Sequence, residues 1–200
     1  MGGLKAKLAS RNANKARELE RLLPGWQIEL LDAADYPPED GETYYDNVQV
    51  KARFGRGLTS SEWWVLGEDS GLEVAGLGGG PGVHSSRSAA GDEVGWLLRQ
   101  LDGTEGDARR ARYVCELVAV SPAGEELRGT GTLDGRIATQ PSGDAGFGFD
   151  PIFIPEGEEQ TVAQLGNEWK AVHSHRARAA RALLKQLSEL TTSPSTKAGG

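Results

Sequence analysis

Two hundred residues, 38% hydrophobic and 26% charged, describe one substantial globular core and leave little chain for a second. The formal net charge of −7 disfavours broad nucleic-acid binding, which needs a basic footprint, and still allows a small polyanion held by local lysines, arginines and a metal. No apolar run approaches the roughly 18 residues of a membrane span, and the start, Met1 to Lys7, has no apolar stretch of the secretory kind.

Leu4 to Ala9 reads as a first strand. Ser10-Arg11-Asn12-Ala13-Asn14-Lys15 turns into a helix capped by Asn12 or Asn14, with Ala16, Leu19, Leu22 and Leu23 at helical spacing and Pro24-Gly25 as the stop. Trp26 to Leu31 is a second strand, and residues 32–42 form an acidic loop. Thr43 to Arg56 reads as a helix with Thr43 as cap and Asp46 at its third position, which puts Tyr44, Asn47 and Lys51 on one face.

The apolar run Trp63-Trp64-Val65-Leu66 reads as a buried strand, followed at once by Gly67-Glu68-Asp69-Ser70-Gly71. On this reading the two carboxylates sit where the strand ends, and strand ends of α/β sheets are where ligands bind. Adjacent residues there point opposite ways, so one acid can face a cleft while the other braces the structure. A glycine-rich turn covers 76–82, and a short helix covers 92–101. Arg112–Ser121 and Glu125–Asp134 read as a hairpin, within which Cys115, the single cysteine, is a small core residue. With one cysteine there is neither an internal disulfide nor a cysteine metal cluster, which suits a reducing cytoplasm. A second glycine-rich loop leads to Phe147-Gly148-Phe149-Asp150, a short strand covers 152–154, and a final helix runs from Ser174 to Leu190 with the stripe Ala180, Leu183, Leu184 and Leu187. Early alternation of strand and helix, then a hairpin, predicts an α/β protein built on a mixed β-sheet with flanking helices. The domain is expected over 1–190, with 191–200 a small polar tail, expected to be disordered.

Several familiar signatures fail. Pro81 stands where a dinucleotide fingerprint needs its third glycine, no Gly-Lys-Ser/Thr occurs, Glu68 spoils a hydrolase elbow at Ser70, and His84, His173 and His175 lack zinc spacing. Five pieces remain. The 10–15 turn offers backbone N–H groups and Lys15 to a phosphate, with an ordinary capped helix as the plainer alternative. Glu39, Asp40, Glu42 and Asp46 offer carboxylates to magnesium, or merely a solvated acidic loop. Glu68-Asp69-Ser70 offers acids behind a buried strand. Phe147 to Asp150 offers aromatics to a base, or else core. Lys170 with Ser174-His175-Arg176 offers donors at a helix start.

In this order and spacing the pieces resemble the noncanonical purine nucleoside triphosphate pyrophosphatases, the inosine/xanthosine triphosphate pyrophosphatase (ITPase-like) family. Ser10-x-Asn12-x-x-Lys15, Thr43-Tyr44-x-Asp46-Asn47 with Lys51-Ala52, Asp69-Ser70-Gly71-Leu72, Leu77-Gly78-Gly79-x-Pro81-Gly82-Val83, Gly146 to Phe153 and Ser174-His175-Arg176 carry the match, over about Leu8 to Leu187. The resemblance implies an elongated two-lobed single domain with a central cleft, usually a homodimer. It also implies magnesium-dependent hydrolysis of ITP, dITP and XTP to the monophosphate and pyrophosphate, cleansing the cytoplasmic nucleotide pool; the partner is then a small-molecule nucleotide, with no nucleic acid or membrane. Asp69 would be general base and metal ligand, with Glu39 and Glu68 as further metal ligands and Glu42 competing with Glu39. Lys15, Lys51 and the turn Ser10, Arg11, Asn12, Ala13, Asn14 would take the triphosphate. Ser70 would touch substrate, Phe147, Gly148, Phe149 and Asp150 would form the base and sugar pocket, and Lys170, His175 and Arg176 would read the purine edge.

The chain departs from that pattern at Glu68 and Asp46, at His84 and Ser88 where tyrosines are common, and in a 91–101 segment that looks short. A pyrophosphatase of other base preference and a non-catalytic nucleotide-binding module are the competing classes. Ser174-His175-Arg176 argues against the first, and the joint presence of Asp69, Lys15 and Lys51 against the second.

Overall fold

The computed structural model describes residues 3–85 and 91–192. Among these residues seven strands form one sheet in the order β2-β1-β3-β5-β6-β7, with β4 paired to β3. They are β1 (Leu4–Leu8), β2 (Trp26–Leu30), β3 (Trp64–Val74), β4 (Pro81–Gly82), β5 (Arg110–Val120), β6 (Glu126–Ile137) and β7 (Phe153–Pro155). Pairing is parallel between β1 and each of β2 and β3, and antiparallel from β3 onward, so the expected mixed α/β sheet is present.

Helices α1 (Ala13–Leu22) and α5 (His175–Thr192) cover one face, and α2 (Tyr44–Leu58) the other. The period of two in β5 makes the division visible. Cys115, Leu117 and Ala119 join the core under α1 and α5, while Val118 and Val120 pack on Val48 and Ala52 of α2. A further core, around Leu72, Leu133, Phe149 and Phe153, lies beneath α3 (Glu93–Gln100) and α4 (Val162–His173) at the far end of the long antiparallel strands. Gly129 and Gly131 let α5 lie directly on β6. A Cβ at Gly131 would stand 2.0 Å from the His175 carbonyl oxygen.

Local chemistry sets the helix starts. Asn12 caps α1 by accepting from the N–H groups of Asn14 and Lys15, and Thr43 forms a reciprocal capping box with Asp46 at the start of α2. Asp46 therefore does locally what a Glu would do.

Two expectations need correction. The central strand does not end at Gly67; it runs on to Val74, and Glu68, Asp69 and Ser70 lie inside it, paired to Leu117, Glu116 and Cys115 of β5. What ends there is the parallel pairing, whose last partners are Leu8 and Leu66. Second, the segment before the last helix is itself helical. Thr161 caps α4 in a box with Gln164, the backbone breaks at Gly166 (φ 83°), and Lys170 sits in the last turn of α4 rather than at the start of α5. The expected tail from 193 onward, and Ser88, lie outside the described residues.

Candidate active site

Strand β3 presents its two acids to opposite faces, and each face is charged. Glu68, wholly buried, points under α1 and α5. Lys15 Nζ stands 2.6 Å from its Oε2, and Arg176 donates to its Oε1 from Nη2 at 2.9 Å and Nε at 3.2 Å. Burial alone would raise this carboxyl, but Lys15 and Arg176 outweigh it and hold it far below the usual carboxylate range. Asp69 points under α2. Asn47 Nδ2 donates to its Oδ2 at 3.0 Å, and Lys51 Nζ donates to its Oδ1 and to the Glu68 carbonyl, both at 3.1 Å. Glu39, from the acidic loop, closes on the same Lys51 ammonium. Burial raises the Asp69 carboxyl, with Lys51 and Lys15 pulling it back. Glu42 does not join this group; it borders a separate groove with Thr43, Tyr44 and Glu73.

A cleft open to solvent lies over the groups that hold Glu68, namely Lys15, Ser70 and Arg176. Asn12 and Lys15 form one end, Ser70 and Gly71 the floor, and the 147–150 loop with Lys170, His175 and Arg176 the far wall. Phe147 lines the cleft beneath two cations, Lys170 Nζ at 4.6 Å and the Arg176 guanidinium at 5.5 Å from its ring centre. Phe149, although it touches the cleft, is 5% exposed and belongs to the far core. Asp150 shapes the loop: its Oδ2 accepts from Phe147 N at 2.8 Å and from Lys170 Nζ at 2.7 Å. A Cβ at Gly146 (φ +80°) would fall 2.1 Å from that oxygen, so the position demands glycine.

His175 is buried and stacks on Tyr113 with ring centres 4.4 Å apart and planes 9° from parallel. Burial first, then the Arg176 and Lys170 charges, push its pKa well down, so the imidazole is neutral near pH 7. Among the described residues its buried Nδ1 has no hydrogen-bond partner. Arg176 is the opposite case: Nε, Nη1 and Nη2 already donate, to Glu68, Glu18 and Ser70.

Most predicted site residues thus meet around β3, in two groups. Lys15, Ser70, Phe147, Gly148, Asp150, Lys170, His175 and Arg176 share the cleft, whereas Asp69, Lys51 and Glu39 stand on the other face. Glu68 does not join Asp69 and Glu39, and among the described residues no set of three or more His, Cys, Asp or Glu could hold a metal. Ser10 supports the turn by accepting from Asn12 N, and Asn14 accepts from Arg17. The Arg11 guanidinium leaves the turn and reaches Ala34 of the acidic loop.

Two residues escaped the sequence reading. Glu18 pairs with both Lys170 and Arg176; its spacing of three from Lys15 on α1 was the available signal. Tyr113, stacked on His175 and donating to Asp150 at 3.4 Å, gave no signal beyond a strand pattern.

The Ham1 family model matches residues 7–186. The chain belongs to the Ham1 family. A dITP/XTP pyrophosphatase of Bdellovibrio bacteriovorus is 42% identical over 193 residues, covering 92% of this chain and 94% of that one. One of Thermus thermophilus is 40% identical over 193 residues, covering 92% and 91%. Among solved structures, the Ham1 protein of Staphylococcus aureus superposes with a TM-score of 0.79 at 32% identity, covering 93% of this chain and 99% of its own. In this Ham1 protein the elements that carry the charged groups, from α1 to the first half of α5, all fall inside the matched span.

Proposed function

We propose that this Ham1 protein hydrolyses dITP, ITP and XTP to the nucleoside monophosphate and pyrophosphate. The observation that carries the reading is the pair of lysines held at the adjacent carboxylates of β3. Lys15 on Glu68 lines the cleft that Phe147, Lys170 and His175 share, and Lys51 on Asp69 lies just across the strand. Each lysine's charge is also felt at the other's carboxylate, so the two faces form one electrostatic site. Relatives named dITP/XTP pyrophosphatase at about 40% identity support the same reading.

The base would lie in the cleft against Phe147, and the phosphate chain would pass the Asn12–Lys15 turn towards Lys51. A neutral His175 on the cleft wall would meet the purine edge. Arg176, already donating from all three nitrogens, acts chiefly by holding Glu68 and Ser70 in place. Asp69, ionisable but raised by burial, is poised to take a proton from the attacking water, and Asn47 and Lys51 fix its two oxygens. Lys15 and Lys51 would neutralise the departing pyrophosphate.

Magnesium fits the Asp69–Glu39 pair. Their carboxylates already converge on one cation, the Lys51 ammonium, and magnesium usually takes one or two carboxylates with substrate phosphates completing its shell. When bound, it would polarise phosphate oxygens and lower the pKa of a water. Among the described residues no helix is long and apolar enough to cross a membrane. A cytoplasmic homodimer completes the proposal on the family resemblance, and light scattering on the purified protein reads the dimer.

The test is pyrophosphate release with magnesium from ITP, XTP and dITP against GTP and ATP. Preference for the first three supports the reading. Equal rates overturn the base assignment, and no release overturns the reaction.

A further inference from the structure

Glu39 lies in an eleven-residue segment, 32–42, with no helix or strand of its own. A carboxylate on such a segment reaches a fixed point only if the segment is tied down. At its far end Gly41 N donates to Asn47 Oδ1 at 2.9 Å. At its near end two side chains hold it. Tyr36 packs its ring on Phe54 of α2, 5.5 Å between centres, and donates its hydroxyl to the Leu31 carbonyl at 2.8 Å. Arg11 donates to the Ala34 carbonyl and lays its guanidinium over the Tyr36 ring, 5.1 Å from the centre. Arg11 belongs to the 10–15 turn, whose backbone N–H groups and Lys15 are the phosphate-binding element proposed above. One residue of that turn therefore grips the segment that carries Glu39.

We infer that Arg11 and Tyr36 are positioning residues that form a clasp, fixing Glu39 for the metal and coupling metal binding to occupation of the phosphate turn. The inference rests on the proposed function. Arg11 touches no substrate on this account and acts through Glu39. A loosened segment leaves Asp69, Asn47 and Lys51 in place on their strand and helix, so the clasp acts on metal affinity through Glu39 alone.

Three variants separate the parts. Arg11→Ala removes the donor and the cation, Tyr36→Phe removes only the hydroxyl, and Arg11→Lys keeps a cation over the ring. Mg2+ is titrated calorimetrically into each protein with α,β-methylene inosine triphosphate bound, and amide exchange is followed over 33–41 in the free protein. Arg11→Ala is expected to weaken Mg2+ binding about tenfold, the scale of losing one charge-assisted hydrogen bond. Tyr36→Phe is expected to weaken it about threefold, and Arg11→Lys to recover most of the loss. The Mg2+ concentration for half-maximal pyrophosphate release should rise in step. Exchange over 33–41 should quicken and exchange in α5 should not.

Faster exchange with unchanged Mg2+ affinity overturns the inference, since the clasp would then be structural only. Unchanged exchange overturns it as well, since the clasp would hold nothing. A wild type that binds Mg2+ but releases no pyrophosphate overturns the proposed function alone, because the titration still decides the clasp.

Discussion

Replacing Glu68 by Gln removes one buried negative charge and almost no volume. In the wild type that carboxylate is fully enclosed and answers two cations, Lys15 at 2.6 Å and Arg176 at 2.9 Å. Breaking a buried pair from one side costs about 3–5 kcal/mol. The Gln amide oxygen still accepts from Arg176, and Arg176 keeps Glu18, so the low end, about 3 kcal/mol, is expected. For a chain of this length that corresponds to a fall in Tm of about 6–12 °C.

The pH dependence has a definite sign. Lys15 and Arg176 hold the folded carboxyl far below its reference value of 4.5. Its stabilisation is therefore fully present above pH 4.5 and drains away as pH falls below it. The gap between wild type and Glu68→Gln in urea unfolding should be widest at neutral pH and narrower by roughly 1 kcal/mol at pH 3.5. A gap of the same width at both pH values, or a Tm within about 2 °C of wild type at pH 7, would refute the argument that Glu68 is the charged keystone between Lys15 of α1 and Arg176 of α5.

Asp69→Asn should separate activity from stability. Burial raises this carboxyl, so its ionisation at neutral pH does not stabilise the fold, and Lys51 retains Glu39; unfolding should shift by no more than about 1 kcal/mol while pyrophosphate release falls about 10²–10⁴-fold. Gly131→Ala should destabilise by about 1–3 kcal/mol and raise KM for ITP more than it lowers kcat, because the new methyl meets the His175 carbonyl and Ala179 N at 2.0 and 2.4 Å and displaces the start of α5; an unchanged KM would place the nucleotide elsewhere. Arg109→Met should cost about 2–4 kcal/mol in urea unfolding with KM unaffected, since this buried guanidinium donates to the Leu101, Thr104, Ile137 and Ala138 carbonyls, far from the cleft.

The local parts of this site were legible because local chemistry makes them. Short polar side chains announce the helix starts, Asn12 or Asn14 for the first and Thr43 for the second, and the structure uses Asn12 and Thr43. The extent of β3 was not legible. Two adjacent acids look like the end of a buried strand unless their counter-charges are known, and those come from residues 15, 51 and 176, distant in the chain. Helix α4 was hidden by the break at Gly166, which divides its periodic stretch, although Thr161 and Gln164 spell a capping box. The ITPase-like resemblance brought together the residues of the cleft. It did not divide them between two faces of one sheet, nor find Glu18, whose role depends on how α1 packs against α4 and α5.

Because β3 deals its side chains alternately to the two faces, residues 68 and 69 can never be exchanged piecemeal. A single inserted or deleted residue between Trp64 and Gly67 would turn both acids over at once, presenting Lys15 with the shorter carboxylate and Lys51 with the longer. The hairpin turn at Ser121 to Glu125, by contrast, can lengthen without touching either face. Length variation among proteins that keep this chemistry should therefore gather in the turns and stop abruptly at Trp64.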